Sequence, residues 1–360
     1  METSQPQADA GLAEVIPFPF LALVGQDEMK LALLLAMINS HMGGVLLIGP
    51  RGTGKTTSVR SLPDLLPHVP RSLCYYGCMP EDIELGGMDA VCPNCAKKFG
   101  QGIPLSTDDR VRLIELPLNA RLDDVVGGLD ERAAAQGRLR LQRGILARAD
   151  RNLLYVDEVN LLADDVVDAI LDAAAQGYYI VRRGAMSSTY WSRFVMVGSM
   201  NPEEGHLRPQ IMDRFGLRVV VHGLDDVNQR LEAYRRSHAY ASNPQAVASQ
   251  YSSDTLLAQN EIQAARDALP AVTVPDEVAH LGLALIKQMR LDSLRAEITL
   301  FEAARAYAVA DGRSEVVAQD LTVVGPMALR MRRSDFIENY FSQRENEEAE
   351  LRSLLDKHIS

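Results

Sequence analysis

The sequence has no run of about 18 apolar residues, the length a helix needs to cross a bilayer, so a membrane span is not expected. Its first residues, METSQPQADAG, carry no basic segment and no apolar stretch after it, which argues against a secretory signal and for the cytoplasm. Positive charge is in deficit, with 37 Lys plus Arg against 48 Asp plus Glu and a formal charge of -11. Binding to nucleic acid or an anionic membrane over a broad face is therefore disfavoured, and protein partners are expected. Cysteine is scarce. All four residues lie between Cys74 and Cys95, too local for a disulfide framework in 360 residues and in keeping with a reducing compartment. The seven histidines are scattered and read as structural, and no internal repeat or long low-complexity segment is present.

What is present reads as alternating strands and helices. DEMKLALLLAMINSH, from Asp27, sets apolar residues at helical spacing behind an acidic first turn. GGVLLIG, residues 43–49, is a short β-prone apolar run bounded by glycines, the pattern of a buried strand. A helix from Lys55, a strand near 113–116, the strand LLYV at 153–156, the helix DDVVDAILDAAAQ at 164–176 and the strand FVMVG at 194–198 follow. Such alternation predicts an α/β fold with a parallel sheet covered on both faces. Two β-prone arms around Arg183-Gly184, within 177–191, predict an inserted hairpin. LRVVV at 217–221 is the last strand signal. From Asp225 the pattern is helical, broken at Pro270 and Pro275 and again at GRSE, 312–315. The tail SQRENEEAELRSLLDKHIS reads as a solvated helix or as one that docks on a partner.

GPRGTGKT fits the phosphate-loop pattern after a strand and before a helix; its members are Gly49, Pro50, Arg51, Gly52, Thr53, Gly54, Lys55 and Thr56. Glycines let backbone N–H groups turn toward the β- and γ-phosphates of ATP, and the following helix N-terminus adds partial positive charge. Lys55 supplies a full charge, Thr56 offers its hydroxyl to Mg²⁺, and Thr57 caps or packs nearby. Asp157 and Glu158 end the LLYV strand, where one acid can hold Mg²⁺ and the next can polarise an attacking water. Asn201 ends the next strand and can orient that water. Arg214, in the short helix PQIMDRF, is either one half of a salt bridge with Asp213 or Glu203 or an arginine supplied to the ATP site of a neighbouring subunit.

The runs VGQDEMKLALLLAMI, GPRGTGKTT, GILARADRNLLYVDEVNLL and NPEEGHLRPQIMDRFG together resemble the I subunits of magnesium chelatase, a family of AAA+ ATPases. The resemblance covers about residues 17–335. It implies an ATPase that drives Mg²⁺ insertion into protoporphyrin IX at the entry to chlorophyll and bacteriochlorophyll synthesis, working as a hexameric ring with ATP at each interface. It also implies two partners, a second AAA-like subunit with an integrin-type domain and a large porphyrin-binding subunit. By the same resemblance Gly49 to Thr57 form Walker A, Asp157 and Glu158 Walker B, Asn201 sensor 1, Arg214 the arginine finger acting in trans, and Arg295 the sensor 2 arginine that contacts nucleotide. Arg208 is the second choice for the finger. The implied division is a disordered segment to residue 16, an AAA+ domain over 17–224, a helical lid over 225–335 and a charged helix over 336–360. A β-rich insertion is implied at GGLDERAAAQGRLRLQRG, residues 127–144. Met200 departs from the family in standing where a small residue is usual, and the last twenty-five or so residues match nothing in it.

Two questions stay open in the sequence. Cys74, Cys78, Cys92 and Cys95 have spacings that suit a structural Zn²⁺ site, a redox-sensitive thiol pair or unligated thiols. The motor also has alternative tasks: a MoxR-type chaperone or cobalt-chelatase ATPase acting on another protein, or a DNA remodeller, the last disfavoured by the acidic balance although basic stretches such as Arg138 to Arg143 keep it in play.

Overall fold

The computed structural model describes residues 16–130, 141–184, 186–291 and 293–333. Residues 1–15, most of the insertion expected at 127–144 (Arg138 with it) and the expected tail helix lie outside the described residues. Of that insertion, one antiparallel bridge, Leu129 to Leu141, is described.

In chain order the elements are α1 (Asp27–Ile38), β1 (Val45–Ile48), α2 (Lys55–Arg60), β2 (Val69–Ser72), α3 (Pro80–Gly86), α4 (Pro93–Gly100), β3 (Ser106–Asp109), β4 (Leu113–Glu115), α5 (Leu122–Val126), α6 (Ile145–Arg148), β5 (Leu153–Val156), α7 (Asp164–Gln176), β6 (Tyr178–Arg183), β7 (Met186–Trp191), β8 (Val195–Met200), α8 (Pro209–Arg214) and β9 (Leu217–Val220). Helices alone follow: α9 (Val227–Ser242), α10 (Pro244–Gln250), α11 (Ser252–Ala268), α12 (Asp276–Gln288), α13 (Leu294–Ala310) and α14 (Ala318–Leu329).

Five strands form one sheet in the order β4-β5-β8-β1-β9, every pairing parallel. Its central strands β5, β8 and β1 are buried end to end and largely apolar, because helices cover both faces. Alternate residues go to opposite sides. Val45, Leu47, Tyr155, Val197 and Val219 join α1 and the helices from α11 to α14 in one core, while Leu46, Ile48, Val156, Met196 and Met200 pack with α7 and Phe215 in a second. The C-terminal helices thus share their core with α1 and the sheet. Met200 fills space in the second core, which accounts for a large residue at that position.

Register decides where the loops meet. Ile48 is level with Met200 and with Val220, and Val156 with Gly198, so the turns after β1, β5 and β8 open side by side at one edge. Carboxyl ends of parallel strands are where such sheets bind ligands. The hairpin expected at 177–191 is β6 and β7, paired antiparallel from Tyr178–Trp191 to Arg183–Met186. The two breaks in the helical region are stitched together: Thr273 N–H donates to Ser314 O and Val316 N–H to Thr273 O, both at 3.0 Å.

The boundaries of three strands differ from expectation. The strand expected at 194–198 runs Val195–Met200, and those at 113–116 and 217–221 each stop one residue early. The ribbon of β2 with β3, and the helices α3 and α4 between them, had no hydrophobic-pattern signal: VPRS and STDD bury no residue fully and lack the alternation that marks a half-buried strand.

Candidate active site

The turn after β1 is held open by backbone conformation. Gly52 and Gly54 have φ of +79° and +88°, and a Cβ at either would meet nothing within 4 Å, which is a cradle with free space over it. α2 begins at Lys55. Its largely buried ammonium donates to Gly49 O and Pro50 O, each at 2.7 Å, so the cation is stored on carbonyls of its own loop. Burial lowers the Lys55 pKa, and the nearby charges of Asp157, Glu158 and Glu204 work against that shift.

Tyr155 in β5 and Asp157 just past its end are two residues apart and point the same way. The Tyr155 hydroxyl donates to Asp157 Oδ1 at 2.9 Å and meets Thr56 Oγ1 at 3.1 Å, bringing Thr56 and Asp157 to one phenol oxygen. The Ser199 hydroxyl donates to the same Asp157 oxygen and accepts from the Glu158 N–H at 3.3 Å. Burial pushes the Tyr155 phenol up to about 12, so it remains a proton donor at neutral pH. A hydroxyl and a carboxylate presented together are the donor set of a hard divalent cation, and Thr56 with Asp157 fit Mg²⁺.

Glu158 has φ 49° and ψ 52°, a left-handed conformation that a non-glycine residue adopts at a cost and that re-aims its side chain. Its carboxyl pKa is raised by desolvation first and then by the charge of Glu204, with Arg51 opposing. Arg51 reaches both acids, Glu158 at 3.5 Å and Glu204 at 2.6 Å. Asn201 is buried and donates to Glu204 Oε1 at 3.0 Å, while Glu204 Oε2 is buried with no partner. Lys55, Thr56, Asp157, Glu158 and Asn201 therefore line one cleft, with Gly52, Gly54 and Thr57. Its volume of about 240 Å³ is below the ~300–1,000 Å³ of pockets that enclose a drug-sized ligand. The cleft is of a size for phosphate groups and would leave the rest of a nucleotide at its edge.

Arg51 of the phosphate loop lines this cleft, whereas Arg208, Arg214 and Arg295 do not. Arg214 sits on the acidic face of α7, 2.5 Å from Asp172 and 3.7 Å from Asp168, and not on Asp213 or Glu203. Residues 168 and 172 are a helical turn apart and so form one landing place, a pairing invisible to local spacing. Arg208 pairs with Asp164 at the start of the same helix. Arg295 lies 3.3 Å from Asp213, the residue before Arg214 in the chain. The position of Arg214 is nonetheless fixed. Phe215 is buried against Gly198, and a Cβ on Gly216 would lie 1.6 Å from Met42 O, so only glycine lets the chain pass there.

Tyr155, Ser199 and Glu204 were missed in the sequence. Tyr155 had a signal, since its period-two relation to Asp157 puts both side chains on one face. Ser199 and Glu204 had none, because their roles arise from strand register and from the turn after β8.

The four cysteines, outside this cleft, come together: their Sγ atoms all lie within 4.8 Å of one another. Among the described residues no helix is long and apolar enough to cross a membrane.

Residues 38–179 match the AAA domain family and residues 284–354 the AAA lid domain family. The chain is 43% identical over 318 residues to the magnesium-chelatase 38 kDa subunit of Acidiphilium rubrum, covering 88% of this chain and 90% of that protein. It is 41% identical over 325 residues to the chloroplastic magnesium-chelatase subunit ChlI of Nicotiana tabacum, 89% of this chain and 75% of that one. Among solved structures it is similar to a chain in the complex of subunits BchI and BchD of magnesium chelatase based on a single-particle cryo-EM reconstruction, with a TM-score of 0.50, 38% identity, and coverage of 91% of this chain and 99% of that one.

Proposed function

Because this chain belongs to the family of magnesium-chelatase I subunits, we propose that it is the ATP-hydrolysing motor of such a chelatase, driving Mg²⁺ into protoporphyrin IX. The observation that carries the reading is the meeting of Lys55, Thr56, Asp157, Glu158 and Asn201 in one cleft at the carboxyl end of the sheet. In this role Lys55 leaves the loop carbonyls for the phosphates. Thr56 and Asp157 hold the Mg²⁺ of MgATP, which when bound neutralises charge on the β- and γ-phosphates. Glu158, with its raised pKa, accepts a proton from the attacking water, and Asn201 orients that water.

The open cleft and the outward position of Arg214 favour a ring in which each subunit completes its neighbour's site, a hexamer by resemblance to the family. Arg295 stands on the same flank as Arg214, so the reading assigns it to that shared interface too. Partners are a second AAA-like subunit with an integrin-type domain, the counterpart of BchD in the related complex, and a large porphyrin-binding subunit. The motor acts in the cytoplasm.

The deciding experiment is Mg²⁺ insertion into protoporphyrin IX, followed by fluorescence, with this protein added to the two partner subunits and ATP. Product that depends on both this chain and ATP is expected. Absence of product from partners that work with another I subunit would transfer the motor to a different protein client. Lys55→Ala in the same assay is expected to lose product through weaker ATP binding, measured directly with a fluorescent nucleotide.

Tyr155→Phe tests the metal end of the cleft. It keeps the buried ring and removes the hydroxyl that joins Thr56 to Asp157, and supports of this kind are worth about 10- to 100-fold in metal affinity or activity. The Mg²⁺ concentration for half-maximal ATPase should rise about tenfold while metal-free nucleotide binding is unchanged. An unaltered Mg²⁺ dependence would remove Tyr155 from that role.

A further inference from the structure

The segment between β2 and β3 has almost no apolar core of its own. α3 buries nothing and α4 only Cys95, while Leu73, Tyr75, Leu85, Met88, Phe99 and Ile103 remain exposed. What is buried is chiefly sulfur: Cys78, Cys92 and Cys95 with Val91 and Leu105, and Cys74 packed against them. Small units this poor in buried hydrocarbon are ordinarily held by a disulfide or a metal.

The geometry points to a structural Zn²⁺ bound by Cys74, Cys78, Cys92 and Cys95. The four sulfurs lie within 4.8 Å of one another, and the Cys74 and Cys92 sulfurs are 3.7 Å apart. Tetrahedral Zn²⁺ with bonds of about 2.3 Å sets its sulfurs about 3.8 Å apart, whereas a disulfide brings them to about 2.05 Å. Backbone N–H groups already aim at the sulfurs, Cys95 donating to Cys92 Sγ at 3.4 Å and Cys92 to Cys78 Sγ at 3.3 Å. Such donors support the negative charge of metal-bound thiolate. Two pairs are brought from opposite ends of the segment: Cys74 and Cys78 follow β2, and Cys92-Pro93-Asn94-Cys95 opens α4. Four sulfurs with no oxygen suit zinc and exclude Mg²⁺, which takes oxygen ligands. On binding, four Zn–S bonds form without any change of oxidation state, and thiol protons are released to solvent.

The site lies at the far end of the sheet from the phosphate cleft. Glu81 on α3 pairs with Arg151 just before β5 and lies 3.5 Å from Arg193 just before β8, which ties the segment to the amino ends of those strands. The ion therefore holds a docked subdomain in shape and takes no part in ATP chemistry. This assignment stands independently of the chelatase reading.

The test is elemental analysis of the full chain purified without chelators. About one zinc per chain is expected, falling to background in Cys78→Ser and in Cys95→Ser while nucleotide binding persists. In case those variants fail to fold, wild-type protein stripped with a mercurial should take up Co²⁺ and show the visible bands of tetrahedral thiolate coordination. Zinc below about one tenth per chain even after anaerobic reconstitution, cobalt spectra without thiolate bands, stoichiometric iron with a coloured chromophore, or disulfides found by alkylation and mass spectrometry would each overturn it.

Discussion

Arg214→Ala is expected to leave the fold and ATP binding intact and to lower ATP hydrolysis by about a thousandfold or more. The structural cost is small, because the bonds lost are to Asp168 and Asp172, both more than half exposed, and surface pairs of this kind contribute ~1 kcal/mol or less. A pairing this weak would let Arg214 leave α7 for another subunit, as the proposed trans role requires. Phe215 and Gly216, packed against Gly198 and Met42, hold the backbone while the guanidinium exchanges partners. The catalytic cost is large because charge gathers on the γ-phosphate during transfer and the cleft of one chain offers no arginine from outside its own loop. Mixing separates trans from cis action. A Lys55→Ala subunit has a faulty cleft and a sound Arg214, and an Arg214→Ala subunit the reverse. In randomly mixed rings about a quarter of the interfaces combine both sound halves, since a ring interface is head to tail. ATPase in equal mixtures should exceed that of either parent. Mixtures no better than the parents, with ring formation verified by sedimentation, would show that Arg214 does not act across an interface.

The parts of this site that could be read in the sequence are those whose geometry is local. The phosphate loop is contiguous, and its glycines and lysine have fixed spacing. Asp157 and Glu158 announce themselves by ending an apolar run. Asn201 could be placed because parallel strands end at a common edge, and the observed register, Ile48 level with Met200, puts it there. The rest depends on distance. Which acid receives Arg214 is decided by how α7 lies against α8, and no spacing within PQIMDRF encodes that. Arg295, implied by resemblance to contact nucleotide from the helical domain, stands against Asp213 because the C-terminal helices share one core with α1 and the sheet, and no local spacing encodes that docking. The β2–β3 segment was legible only through its cysteines. Where a segment's interior is sulfur instead of hydrocarbon, hydrophobic periodicity has nothing to report.

Asp213→Asn is expected to be strongly destabilising, although Asp213 itself is partly exposed. Its carboxylate stands among three guanidiniums, 2.8 Å from Arg332, 3.3 Å from Arg295 and 3.6 Å from Arg218. The side chains of Arg218 and Arg332 are fully buried, and Arg218 Nε has no partner. Burial and then the like charge of Arg332 work against the charge on Arg218, while Asp213 works for it. A guanidinium does not escape by losing its proton. Without the carboxylate, two buried cations would face each other with only neutral acceptors for company: the Met212 and Arg330 carbonyls for Arg218, and the Ala328, Asp213, Phe215 and Gly216 carbonyls with the Thr299 hydroxyl for Arg332. Removing one partner of a buried ion pair costs about 3–5 kcal/mol, and the exposure of Asp213 and the remaining carbonyls place this case near 3 kcal/mol. The consequence reaches the site, because Arg330 and Arg332 lie just beyond α14 and the cluster clamps the helical region to β9 and to α8, the helix that carries Arg214. Urea unfolding should show a lower midpoint for Asp213→Asn, and adding Arg218→Met, which removes one buried charge and keeps much of its volume, should recover part of the loss. A single variant within about 0.5 kcal/mol of the parent, the scatter expected of an ordinary surface site, would end the clamp argument. A double variant no more stable than the single one would show that packing, and not charge, holds the two regions together.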